Sequence, residues 1–473
     1  MVVIEEIIEK PNHVVFIHLD LGIGGAEQLI INLALASLRN NEKISIFTTH
    51  CSPTHCFNEV KPDGILNEYL HIHGAFIPPS LPLTHNGVRG GTAFFSTLRM
   101  IYLSLIACWK FPTADVIVLD VLPTSIPFIR LLANRVAILF YCHFPDKLLT
   151  RDTVNGISVK KISMLRKCYR FVFDALEKYT MSMCDIVVAN SEFTRKELLN
   201  SFQWTSDSSG LSHGFQNIRV LHPAIDFKNF KDQREKIVVD KNESHIKPIV
   251  SLNRFERKKN VEILLEAYAM LLKEKSLPPP LIIAGGYDPR NDENAQYMTE
   301  LKTLAYERLK IKNGYGNGML SFQPNITNAQ RSSLLSDAIC LCYTPNREHF
   351  GIVPIEAMYA GTPVIAVNSG GPKETVVDGE TGFLVENSAH GFYKALKIMI
   401  DNGDDENMLM GERAKAHVRK RFGMKTFSNE WNSLIQEVKE YCWKRNQNES
   451  FSFLHVITLL FAVIIIVIAK FFF

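Results

Sequence analysis

The stretch EHFGIVPIE, Glu348 to Glu356, sets two carboxylates at the ends of an apolar run that also holds a glycine and a proline. An ionised carboxylate taken out of water is costly unless it is paired or hydrogen-bonded. Either both glutamates face solvent or both hold something. Pro354 suits the first turn of a helix and Gly361 its end, so a helix beginning near Val353 points its free amides back toward Glu348. Such amides bind anions. Glu356, in the first turn, has a simple role in favourable interaction with the helix dipole. Glu348, in the loop before it, has no structural duty of that kind. One carboxylate on each side of an anion-binding helix start suits a sugar nucleotide, which carries hydroxyls on both sides of its phosphates.

Other segments supply complementary chemistry. In SLNRFERKKN, Ser251 to Asn260, Arg254 can hold phosphate oxygens in a fork, and Lys258 or Lys259 can add a flexible point charge. Taken alone, the run is also what a solvated face looks like. In DLGIGGAEQL, Asp20 to Leu29, Gly24 and Gly25 lead straight into a helix, where they let a ligand approach the backbone and the helix start favours negative charge. The full dinucleotide spacing is absent, and a tight turn also uses glycine. His143 in YCHFPD reads, on its residues alone, as a buried and satisfied histidine at a strand end.

These residues need elements to position them. From His13, strand-like runs alternate with helical patterns: HVVFIHLD, AEQLIINLALASLR and KISIFTTH, then DVIVLD, AILFYCHF and CDIVVANS. After a polar, charged stretch over 223–247, the alternation resumes with PIVSLNRF, PLIIAGGYD, MLSFQPN, AICLCYTP and TPVIAVNSGG. Such alternation predicts parallel strands with helices on both faces. The chain therefore reads as α/β, with two doubly wound halves whose ligands sit beyond the carboxyl ends of the strands, in the cleft between them. The expected boundaries are 12–222 and 248–430 for the halves and 431–450 for a C-terminal helix and juxtamembrane segment.

Composition limits the partners. With 52 basic and 49 acidic residues the net charge is +3, which provides no field for a polyanion, and nucleic acid is not expected. Nine cysteines without a C-x-x-C spacing suggest neither a disulfide framework nor a zinc site and fit a reducing compartment. The start, MVVIEEIIEK, lacks the basic and apolar regions of a secretory signal. The end, FSFLHVITLLFAVIIIVIAKFFF over 451–473, runs uncharged to Ala469 and has the length of a membrane-spanning helix. The alternative for it is a hydrophobic hairpin or a docking helix. Lys444 and Arg445 just before it would keep the body of the chain in the cytosol. A shorter run, Met100 to Trp109, is too short to span and suits either a core helix or one lying in the membrane interface.

The glutamates bracketing seven residues, the Arg254 and Lys259 spacing, GGAE and the late NSGGPKE together resemble the retaining glycosyltransferases of the two-Rossmann-domain type, glycosyltransferase family 4. The resemblance covers nearly all of 12–440 and implies two facing Rossmann-like domains, the GT-B arrangement. More narrowly, DLGIGGAEQL, LFYCHFPDKLLT, NRFERKKN, AGGYD and EHFGIVPIEAMY are similar to members that move mannose from GDP-mannose to a dolichyl-diphosphate oligosaccharide, making α-1,3 and α-1,6 linkages on the cytosolic face of the endoplasmic reticulum membrane, beside other mannosyltransferases of the same pathway.

By that resemblance Glu348 holds sugar hydroxyls and Glu356 the ribose of GDP. Arg254 and Lys259 neutralise the departing diphosphate, helped by amides near Gly351, Ile352 and Val353 and by Gly24 and Gly25. His143 lies near the transferred sugar, and Tyr343 and Gly370 shape the pocket. Both glutamates fall on the donor instead of flanking the broken bond, so no covalent glycosyl-enzyme is expected. The leaving diphosphate takes the acceptor's proton. No Asp-x-Asp occurs, and neither metal nor other cofactor is expected. Another nucleotide sugar, or a non-catalytic membrane-tethered scaffold, are the alternatives.

Overall fold

The computed structural model describes residues 11–79, 81–82, 89–90, 92–144, 153–154, 157–158, 174–202, 217–225, 247–274 and 277–448. They fall into two compact units. The first draws on described residues within Met1–Asn190, Thr194–His222 and Phe427–Phe473, the second on Ser191–Phe193 and Pro223–Thr426. Most of the polar stretch over 223–247 lies outside the described residues.

The first unit is built on β1 (His13–Ile17), β2 (Lys43–Thr48), β3 (Leu70–Ile72), β4 (Val116–Asp120), β5 (Ala137–Cys142), β6 (Ile186–Ala189) and β7 (Ile218–Val220). Their order is β7-β6-β5-β4-β1-β2-β3, and every pairing is parallel. Strands such as VVFI and VIVL are buried throughout, as parallel sheets covered on both faces require. The second unit repeats the plan with β8 (Ile249–Leu252), β9 (Leu281–Gly285), β10 (Lys312–Asn313), β11 (Met319–Pro324), β12 (Cys340–Tyr343), β13 (Val364–Val367) and β14 (Gly382–Val385), in the order β10-β11-β9-β8-β12-β13-β14, again all parallel. Alternate residues of its strands enter two separate cores. Ile249, Ile283, Cys342 and Ile365 face one, while Val250, Ile282, Leu341 and Ala366 face the other. The period-two alternation of a pleated strand produces that division.

Helices α1 (Gly25–Arg39), α2 (Thr92–Lys110) and α5 (Met424–Asn448) pack in the first unit, α5 from Phe427 onward, whereas α3 (Asn328–Asp337) and α4 (Ile352–Ala360) belong to the second. The Met100 to Trp109 run forms the second half of α2. Met100, Leu103, Ala107 and Cys108 are buried in the first unit's core, whereas Trp109 is exposed.

The C-terminal membrane helix expected from composition requires correction. Among the described residues, no helix is long and apolar enough to cross a membrane. The last described helix, α5, is an amphipathic element with a buried stripe of Phe427, Trp431, Ile435, Val438 and Cys442. Trp431 Nε1 donates to Ser37 Oγ at 2.8 Å, and Arg219 pairs with Glu437 at 2.5 Å. Arg445, expected as a flanking membrane charge, instead bonds Asp185 at 2.7 Å and the Asn134 carbonyl at 2.6 Å. Residues 449–473, which carry the apolar run, lie outside the described residues.

Candidate active site

In the second unit the loop after β8 is fixed from below. Asn253 N–H donates to the Ala284 carbonyl at 3.0 Å and Phe255 N–H to that of Gly286 at 3.1 Å, while the Phe255 ring is buried. Gly285 has φ +151°, and a Cβ there would lie 1.8 Å from the Asn253 carbonyl oxygen, so the AGG turn permits this close approach. The loop ends in a single 3₁₀ turn, Arg257–Lys259, closed by Asn260 in the left-handed region. Thr344 Oγ1 donates to the Lys259 carbonyl at 2.6 Å and fixes the backbone of that lysine.

The two neighbouring lysines end in different places. Lys259 is 9% exposed, and its Nζ lies 2.5 Å from Glu348 Oε2. Lys258 is exposed and pairs with Glu256 at 3.0 Å. Arg254, also exposed, pairs with the same Glu256 at 2.9 Å. Glu256 thus holds two cations at the loop surface. Nothing in the sequence marks it beyond its place within the basic run.

Glu348 stands in the loop between β12 and α4. Arg347 before it is left-handed, and its amide donates to Ser369 Oγ at 2.9 Å. Gly371 N–H donates to the Glu348 carbonyl at 2.8 Å. Gly370 has φ +65°, and a Cβ on it would sit 2.3 Å from that carbonyl oxygen. The glycine pair of NSGGPKE is therefore the support on which the Glu348 loop rests. Burial works against the charge of the Glu348 carboxyl, but the adjacent Lys259 ammonium prevails and holds it below the usual glutamate range. Tyr343, at the end of β12, is pushed well upward by burial and by Glu348.

Helix α4 begins at Ile352 after Gly351, whose φ of +84° suits glycine, and no side chain caps it. Its first amides, on Ile352 and Val353, are left to other acceptors. Helix α4 starts one residue earlier than the sequence suggests, which places Glu356 just past its first turn. It pairs with Arg331 of α3, and burial raises its carboxyl above the usual range against that guanidinium. The dipole reading of Glu356 is replaced by this specific partner, which pattern reasoning missed because helix α3 carries no motif.

Gly24, Gly25 and His143 belong to the first unit. Gly24 is extended, at φ −169° and ψ 177°, and caps α1 without a side-chain bond. A Cβ on Gly24 would meet only the flexible end of Glu27, and one on Gly25 would meet nothing within 4 Å. Neither glycine is demanded by the turn, and together they leave the start of α1 uncovered. Asp20, opening this segment, is held by Arg99 Nη1 at 2.8 Å and Thr49 Oγ1 at 2.7 Å. His143 Nε2 lies 3.1 Å from Asp120 Oδ2, at the ends of neighbouring strands. Among the described residues there is no cluster of histidine, cysteine and carboxylate side chains able to hold a metal ion.

Two parallel-sheet units, each presenting glycine-bearing loops at strand ends, with a buried lysine against a loop carboxylate in the second, match the plan of the GT-B class of glycosyltransferases. The model for Glycosyltransferase Family 4 matches residues 23–228, and that for Glycosyl transferases group 1 matches residues 231–417. The fold agrees with sucrose-phosphate synthase from Thermosynechococcus elongatus (TM-score 0.64, 20% identity, 90% of this chain and 99% of that one) and the catalytic domain of starch synthase IV from Arabidopsis thaliana (TM-score 0.60, 12% identity, 91% and 100%).

Relatives named alpha-1,3/1,6-mannosyltransferase ALG2 are 35% identical in Dictyostelium discoideum, over 91% of this chain and 99% of that protein, and 36% identical in Mus musculus, over 88% and 94%. One from Rhizomucor pusillus is 32% identical over 96% and 98%. The chain belongs to this α-1,3/1,6-mannosyltransferase family.

Proposed function

We infer that the chain takes mannose from GDP-mannose and adds it, with retention, to a dolichyl-diphosphate-linked Man1GlcNAc2 acceptor, making an α-1,3 and an α-1,6 linkage at the cytosolic face of the endoplasmic reticulum membrane. The observation that carries the reading is the buried Lys259–Glu348 pair, set beside the uncapped start of α4. Lys259 and Arg254 stabilise the charge that grows on the diphosphate as the glycosidic bond breaks. That interaction is strongest in the transition state and so raises turnover. Glu348, ionised at neutral pH, accepts hydrogen bonds from mannose hydroxyls, and Glu356 accepts from the ribose. The diphosphate oxygen then takes the acceptor's proton while the new bond forms on the same face.

The test is competition between donors. Purified full-length protein with a lipid-diphosphate Man1GlcNAc2 acceptor should transfer from GDP-mannose and leave UDP-glucose and UDP-N-acetylglucosamine unused. Turnover of a UDP-sugar in preference would overturn the donor assignment, and binding of GDP-mannose without transfer would favour a scaffold.

A further inference from the structure

At the carboxyl ends of β1, β4 and β5, three adjacent strands, the first unit places His18, Asp120 and His143 in contact. Asp120 is fully buried. His18 Nδ1 lies 2.8 and 2.9 Å from its two carboxylate oxygens, and His143 Nε2 lies 3.1 Å from Oδ2. A buried carboxylate survives ionised only with a counter-charge and hydrogen bonds. His18 is buried too. Burial would discharge it, but Asp120 prevails, with Glu27 adding negative potential, and the imidazole is shifted toward its charged form.

The consequence falls on His143. An ionised carboxylate only accepts, so the His143 nitrogen facing Asp120 must bear a proton. That leaves Nδ1 as the ring's accepting nitrogen on a side chain that is 28% exposed. We propose that Asp120 is a positioning residue for His143, fixing the tautomer with the proton on Nε2 so that Nδ1 accepts a hydrogen bond from a sugar hydroxyl, and that His18 is the standing counter-cation of this arrangement. The sugar rests on the mannosyltransferase reading, whereas the tautomer does not. The His143 carbonyl, bonded by Asn190 Nδ2 at 2.8 Å, steadies the same residue from its backbone.

The experiment uses the full chain labelled with nitrogen-15 at its 15 histidines, with long-range proton–nitrogen correlation near neutral pH and assignment by His18→Gln and His143→Gln. The expected result is a bare Nδ1 and a protonated Nε2 on His143, with both nitrogens of His18 protonated. A proton on His143 Nδ1, whether or not Nε2 also carries one, or a neutral His18, overturns the proposal. Asp120→Asn should discharge His18 and lower kcat at least tenfold while changing the donor KM less than threefold. An unaltered kcat in that variant also overturns it. Should Asp120→Asn fail to fold, the wild-type spectrum still decides. A protein that transfers no mannose yet shows the expected tautomer defeats the mannosyltransferase reading and leaves the tautomer standing.

Discussion

The ammonium of Lys259 lies 2.5 Å from Glu348 Oε2, joining a loop at the end of β8 to one at the end of β12 in two central, adjacent strands. Both side chains are largely shielded, so neither charge is solvated well enough to stand alone. On the proposed reading the lysine serves two anions in turn, the glutamate before the donor arrives and the diphosphate as it departs.

That sharing sets different expectations for the two lysines of RKKN. Lys259→Ala should reduce kcat at saturating GDP-mannose by 10²- to 10³-fold, roughly the 3 to 4 kcal/mol lost with one transition-state donor. Lys258, exposed and tied to Glu256, should matter far less when replaced by alanine. Steady-state kinetics of the two variants side by side checks this, and equal losses would count against the assignment.

The pH dependence of stability should separate the two glutamates. Glu348 has a carboxyl pKa lowered by its lysine, so its contribution is present above the unfolded value and is lost as pH falls through the folded one. Glu356 is raised by burial, and its penalty appears as pH rises. Urea unfolding from pH 7 down to about pH 3 should show Glu348→Gln flattening the acid-side loss, with Glu356→Gln relatively more favourable at pH 7 than at the acid end. Parallel profiles for both variants would contradict the opposed environments.

Arg331 is the partner that leaves Glu356 stranded when removed. Arg331→Met should lower stability by about 3 kcal/mol, as breaking a buried pair does, and weaken GDP binding. Adding Glu356→Gln should restore part of the stability, a coupling that a double-mutant cycle measures. Strict additivity of the two changes would show that the pair does not act as a unit.

Gly370 and Gly379 both have positive φ, +65° and +77°, but a Cβ meets the Glu348 backbone only at Gly370. Gly379→Ala should cost about 1 to 2 kcal/mol from backbone strain alone. Gly370→Ala should carry that strain and also displace the Glu348 loop, abolishing transfer while far-ultraviolet circular dichroism stays native. Retained activity in Gly370→Ala would mean the loop does not rest on that glycine.

Much of this architecture is readable from local pattern. The alternation of HVVFI, KISIFT and VIVLD with helical runs specifies parallel sheets because it depends on neighbours in sequence. The loop-to-helix change between Glu348 and Glu356 is marked by Gly351 and Pro354. The partners are not readable in this way. His18 meets Asp120 across 102 positions and Arg331 meets Glu356 across 25, and such contacts depend on strand order and helix packing, which no short window contains. The membrane reading of the carboxyl terminus has a related weakness. Arg445 has the place of a flanking charge in the sequence, yet its guanidinium is engaged by Asp185 within the first unit.

Helix α5 completes the core of the first unit with residues made at the end of the chain. Domains ordinarily finish folding in order as they leave the ribosome, at about 5–20 residues per second. Here the division of the first unit across the chain predicts the reverse. The sheet of the first unit emerges early but lacks Trp431, Ile435 and Val438 until all of residues 223–426 have been synthesised, roughly 10 to 40 seconds later at that pace. During that interval the nascent chain carries an open apolar face while the second unit is free to finish first. Release of the last turns of α5 is the event that closes it.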